Sequence, residues 1–191
     1  FNDALGALPD DDASRLLRAR LFTALGHCLL RLGRREDAQA AHASAVSTLD
    51  NAPDSPGLRE HRAFALLLMG TALTDPPEQM RVFARSLALY ESEGDAWGIG
   101  AALNKLGECA ELLGDMPDAQ RYHRASLAHC LGIGDQPGVA FARANLGGLL
   151  RLEGRLDEAE AELRAELEVA NALGFDYARG LLTQNLAACA W

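Results

Sequence analysis

Residues 145–163, NLGGLLRLEGRLDEAEAEL, place their leucines and alanines at helical spacing, with charged side chains between them. The pattern predicts two helices interrupted at Gly154. The second carries an acidic run from Asp157 to Glu168, which reads as the solvated face of an amphipathic helix. Within that run Glu160 precedes Arg164 by four residues, an order that stabilises a helix. Gly147 and Gly148 fall inside the first helix, where a glycine costs about 0.5–1 kcal/mol relative to alanine. Something other than local propensity must account for them.

The same pattern recurs along the chain. LGHCLLRLGRREDA (25–38), LGECAELLGDMPDA (106–119) and LGGLLRLEGRLDEA (146–159) share Leu-Gly, a second glycine seven residues after the first, and an alanine five residues further on. Gly26, Gly107 and Gly147 hold the first place, Gly33, Gly114 and Gly154 the second, and Ala38, Ala119 and Ala159 the third. MGTALTDPPEQ (69–79) is a weaker copy with Gly70 in the first place and no second glycine. NLAACA (185–190) begins another, with Ala187 in the first place. The intervals between first places are 44, 37, 40 and 40 residues, and self-similarity at a near-fixed period marks a repeat array. The turn-rich stretch Asn51–Gly57 accounts for the longest interval and a shortened turn around Thr74–Pro77 for the shortest.

Each repeat reads as two helices, A and B, so the fold class is all-α: a solenoid of antiparallel helix pairs. In the third repeat Asp95 caps helix A (96–113), Gly114-Asp115 ends it and caps helix B (116–131), and Gly134-Asp135 repeats the device. Pro117 and Pro137 sit in first turns, where proline is tolerated. The array is expected to span residues 1–191 as one domain, with repeats at about 13–50, 58–93, 95–132 and 135–173. Residues 176–191 form helix A of a partial fifth repeat and residues 1–8 the tail of a preceding helix. Both ends read as cut from a longer solenoid. The first-place glycine is expected to let helix B of its own repeat cross closely, with the motif alanine facing it. Gly148 has no glycine counterpart in the other repeats and is expected at an exposed or groove-facing position.

Charge and chemistry narrow the function. With 18 basic against 27 acidic residues the net charge is −9, and Lys105 is the single lysine. That charge argues against non-specific nucleic-acid binding by this segment, which needs a basic stripe, so no direct nucleic-acid binding is expected of it. No run approaches the ~20 apolar residues of a membrane span. None of the four cysteines forms a CxxC pair, so reduced thiols and a cytoplasmic location are expected. Cys28, Cys109 and Cys189 each follow a first place by two residues, which points to a small buried packing position. No phosphate-binding loop, nucleophile elbow or zinc-protease motif occurs, so no catalytic residue, cofactor or metal ligand is assigned. His42 and His123 follow their motif alanines by four residues but lie two repeats apart, too far to share a metal, and His27 and His61 are isolated.

The Leu-Gly, Gly, Ala pattern on paired helices resembles the tetratricopeptide repeat over essentially the whole chain. The period is nearer 40 than the ~34 of that family. With the Asn-Leu-Gly start at 145–147, it is similar to the longer-repeat branch found in bacterial ATP-dependent transcriptional regulators of the LuxR type and in peptide-sensing regulators. Two departures stand out. The second repeat lacks its turn glycine, and the helix-A aromatic is absent except for Phe22.

The resemblance implies a right-handed superhelix with A helices on the concave face and B helices on the convex one. It also implies a non-catalytic module that binds a protein, a peptide or another domain of the same chain, as the sensor region of a bacterial regulator. A constitutive scaffold is the alternative, and a homodimer is a further candidate partner. The concave candidates are Asn104, Lys105, Glu108, Phe141, Asn145, Gln184 and Asn185, together with Arg20, Thr23, His27, Phe64 and Thr71. Asn104, Lys105, Asn145 and Asn185 fall at or beside positions where some members bind peptide backbone or a carboxylate. A carboxylate clamp would need a further cation, for which Arg143 is the candidate. The alternative for the asparagines is that they satisfy local backbone or inter-helix hydrogen bonds.

Overall fold

The computed structural model describes Pro9, residues 11–52 and residues 56–189. Among these residues nine α-helices follow one another and no strand occurs: α1 (Asp12–Arg31), α2 (Arg35–Asp50), α3 (Pro56–Ala72), α4 (Pro76–Glu93), α5 (Ala96–Leu112), α6 (Met116–Ile133), α7 (Gln136–Leu152), α8 (Leu156–Leu173) and α9 (Asp176–Cys189). The helix tail expected at 1–8, part of the 51–57 loop and the last two residues of the chain lie outside the described residues. The chain divides into two compact units, Phe1–Gly98 and Ile99–Trp191, with the division in the first turn of α5.

The start and stop signals work as the sequence predicts. The side chains of Asp11, Asp75, Asp115 and Asp135 each accept a hydrogen bond from the amide three residues on, at Ser14, Glu78, Asp118 and Gly138. Asp95 does the same for Gly98 at 3.0 Å. Each satisfies one of the amides that a helix start leaves without an internal partner. Gly33, Gly114 and Gly154, like Gly94, Gly134 and Gly174, are left-handed, with φ between 69° and 78°, the conformation that ends a helix and that residues with a Cβ rarely adopt. Helix α6 runs two residues beyond the expected end, to Ile133, because its stop is Gly134 itself.

The second repeat lacks a turn glycine and ends α3 by another route. Gln39 Nε2 donates to Ala72 O at 2.8 Å, and Arg35 Nη1 donates to Thr71 O and Ala72 O at 3.3 and 3.1 Å, all from α2. Gln79 of α4 donates to Gly70 O and Leu73 O at 3.2 and 3.0 Å. Side chains from both flanking helices thus satisfy the carbonyls that end α3. Replacing Arg35 and Gln39 together with alanine is expected to cost about 1–3 kcal/mol in urea unfolding, the penalty for the part-buried Ala72 carbonyl left without a donor.

The first-place glycines explain the helix pairing. A Cβ at Gly26 would lie 2.6 Å from the His42 ring, and one at Gly70 2.3 Å from the Phe83 ring. In the C-terminal unit the corresponding approaches are Gly107 to His123 at 2.5 Å and Gly147 to Leu163 at 2.7 Å. Helix B of the same repeat therefore crosses over each glycine. The atoms nearest the glycine are not those of the motif alanine, as expected from the sequence, but of a bulkier residue one helical turn later. Ala38, Ala119 and Ala159 are each 0% exposed in the same interfaces. The crossing residue follows its glycine by sixteen positions in three repeats and by thirteen in the second. Those three missing residues are the shortened turn, and they also shorten the period from 40 to 37.

Candidate functional site

The sequence candidates that come together do so in the C-terminal unit. Asn104, Lys105 and Glu108 lie on α5, and Asn145 lies on α7. Asn104 is the centre of the cluster. Its Nδ2 donates to Glu108 Oε1 at 2.9 Å, and its Oδ1 accepts from Asn145 Nδ2 at 3.0 Å. Lys105 Nζ donates to both Glu108 oxygens, at 2.9 and 2.7 Å. Two residues that sequence reasoning did not assign to the site complete the network. His123 of α6 sets Nδ1 3.1 Å from Asn104 Oδ1 and Nε2 2.8 Å from Glu111 Oε1. The ring is 0% exposed, and each of its nitrogens lies within hydrogen-bond distance of a side-chain oxygen. The available signal was spacing: Glu111 follows Gly107 by four residues, one turn along the helix that His123 crosses.

The amide ladder continues to α9. Asn185 Nδ2 donates to Ala144 O at 3.0 Å. Asn145 and Asn185 each sit two residues before a first place, and each reaches the residue three before the first place of the preceding A helix. That residue offers a side-chain oxygen at Asn104 and, lacking one, a backbone oxygen at Ala144. The inter-helix hydrogen bonds weighed as the alternative for these asparagines are therefore present. Phe141 is half-buried on α7 and Gln184 is exposed on α9.

Three expectations change. Arg143 is not an open clamp cation: its Nη1 lies 2.6 Å from Oε2 of Glu166, which is 1% exposed. Glu166 thus leaves the acidic run's solvated face, while Glu160 and Arg164 pair at 2.5 Å as expected. The cysteines do not share one buried position. Cys109 and Cys130 are buried, Cys189 is half-buried and Cys28 is exposed. Burial pushes the Cys109 thiol up to about 11 and raises that of Cys130. Iodoacetamide at pH 8 is therefore expected to alkylate Cys28 first and to reach Cys109 and Cys130 only on unfolding, with peptide mass mapping as the readout.

His42, the N-terminal counterpart of His123, shows what the network supplies. It is 0% exposed and neither ring nitrogen has a partner among the described residues. Where α5 has Asn104 and Glu111, α1 has Thr23 and Leu30. Burial, and then the nearby His27, push the His42 imidazole down to about 4.

The α5–α7 cluster offers amide donors and acceptors beside an ammonium–carboxylate pair, groups suited to hydrogen-bonding a peptide backbone or polar side chain. Among the described residues no group of three or more His, Cys, Asp or Glu could hold a metal ion, and no helix is long and apolar enough to cross a membrane.

No curated protein matches the chain by sequence. Among the solved structures that share its fold are three of particular use. Aspartyl phosphate phosphatase F from Bacillus subtilis superposes with a TM-score of 0.77 at 14% identity, over 90% of this chain and 46% of that one. A Rap protein complexed with competence and sporulation factor does so with a TM-score of 0.79 at 16% identity, over 98% of this chain and 54% of that one. A kinesin-light-chain-type chain from Podosopora anserina, with nearly identical TPR-like repeats, has a TM-score of 0.64 at 14% identity, over 90% and 85%. The chain thus spans about half the length of the first two, and at these identities the likeness is one of fold. It is an all-α helical-repeat protein, and its residues 98–172 match the tetratricopeptide-repeat family model.

Proposed function

We propose that this chain is a non-catalytic module that binds a protein or peptide, serving as the sensor region of a larger bacterial transcriptional or signalling regulator. The observation that carries the reading is the ladder on α5, α7 and α9, where Asn104, Lys105, Glu108 and Asn145 hold one another in place and Asn185 is held by the Ala144 carbonyl. Side chains held this way need little reordering to receive an extended backbone, so less affinity is lost on binding. A Rap protein complexed with competence and sporulation factor shares the fold, which supports a factor-binding role. The partner groups are amides and an ammonium already paired with the Glu108 carboxylate, so the ligand is expected to be recognised chiefly through its backbone.

The test is selection of binders from a random-peptide library on the intact chain, followed by titration against the Lys105→Ala/Asn145→Ala variant. Affinity is expected to fall tenfold or more, the scale of losing one or two good hydrogen bonds, with helicity unchanged by circular dichroism. Equal affinity would remove this face as the site.

A further inference from the structure

The N-terminal unit holds a second feature, which does not rest on the proposed partner face. Arg20, Thr23, Ala24 and His27 line one face of α1, and His61, Phe64 and Leu68 one face of α3, the spacings of single helical stripes. Between them lies a half-open groove of about 510 Å3 with Leu49 and Ala19 in its floor, within the range of roughly 300–1,000 Å3 typical of small-molecule sites. The groove exists because α1 presents alanine and threonine opposite the bulky side chains of α3. Phe64 is left 38% exposed beside it.

Its charge runs against that of the protein. The chain carries 27 acidic and 18 basic residues, yet among the described residues no carboxylate lines this groove, and its ionisable groups are Arg20, His27 and His61. Arg20 enters no ion pair among the described residues, so its guanidinium fork is available for a planar anion. We infer that the groove between α1 and α3 binds a small amphipathic carboxylic acid: an apolar body against Leu49, Phe64 and Leu68, with its carboxylate on Arg20.

The experiment titrates the intact chain with dansylaminoundecanoic acid and, separately, with its neutral carboxamide, following dansyl fluorescence. Saturable one-to-one binding of the acid is expected, with the carboxamide about tenfold weaker, the worth of one charge-assisted contact. Arg20→Gln should remove that difference by weakening the acid alone. Ala24→Leu, at an exposed position, should fill the groove and weaken both probes. Circular dichroism verifies that both variants keep the fold. No saturable binding, equal affinity for acid and carboxamide on the unaltered chain, or acid binding indifferent to either substitution would each overturn the proposal.

Discussion

Gly147→Leu is expected to destabilise the protein by about 1–3 kcal/mol or more through overpacking, while Gly148→Ala, one residue on, is expected to stabilise it by about 0.5–1 kcal/mol. At Gly147 even a Cβ would stand 2.7 Å from Cγ and Cδ2 of Leu163. Leu163 cannot swing away, because it is 1% exposed and packed in a cluster with Ala140, Ala144 and Leu182. At Gly148 nothing lies within 4 Å of the added carbon, so alanine brings its helix propensity without a clash. Urea unfolding followed by far-ultraviolet circular dichroism measures both. A Gly147→Leu variant within about 0.5 kcal/mol of the parent would mean that α8 does not cross α7 at this residue.

The second large effect is expected at His42, through pH. In the folded protein this imidazole titrates near 4, against an ordinary 6.5. The unfolded chain therefore takes up the proton first as the pH falls. Stability is full above 6.5, declines between 6.5 and about 4, and is level below. At about 1.4 kcal/mol per pH unit the loss amounts to roughly 3 kcal/mol. His42→Leu, which copies Leu163 in the fourth repeat, should abolish that part of the acid sensitivity. It should also raise stability at pH 7, because two buried nitrogens without partners are removed. Thermal unfolding at pH 7, 5.5 and 4.5 reads both effects. Parallel acid slopes for variant and parent would show that His42 is hydrated in the folded state.

Most helix ends are legible in the sequence because they are set locally: an aspartate caps α1, α4, α5, α6 and α7, and a left-handed glycine follows α1 and α4 to α8. The crossing residue was harder to read. Gly26, Gly70, Gly107 and Gly147 face His42, Phe83, His123 and Leu163, residues with bulk in common and no shared chemistry. The alanine four positions earlier, at 38, 119 and 159 but not in the second repeat, is the more regular signal. In the candidate site, Asn104, Lys105, Glu108 and Asn145 were found from their places on the A helices. His123 and Glu111 were not, because their roles depend on which buried histidine receives hydrogen-bond partners. Cys28 shows the same limit: equal repeat positions gave equal expectations, but Cys28 is exposed where Cys109 is buried.

The end of α3 carries a consequence for how the N-terminal unit comes apart. Elsewhere the stop after an A helix is written into its own backbone, at Gly33, Gly114 and Gly154, so such a helix can fray and re-form without its neighbours. The last carbonyls of α3 are instead held by Arg35 and Gln39 of α2 and by Gln79 of α4. Opening α2 strips α3 of its terminus, and opening α4 loosens it from the other side. Three helices are thereby joined into a single cooperative opening unit. In native-state hydrogen exchange the last-turn amides of α3 should follow the slower, shared opening of α2 and α4, where those of α1 follow local fraying.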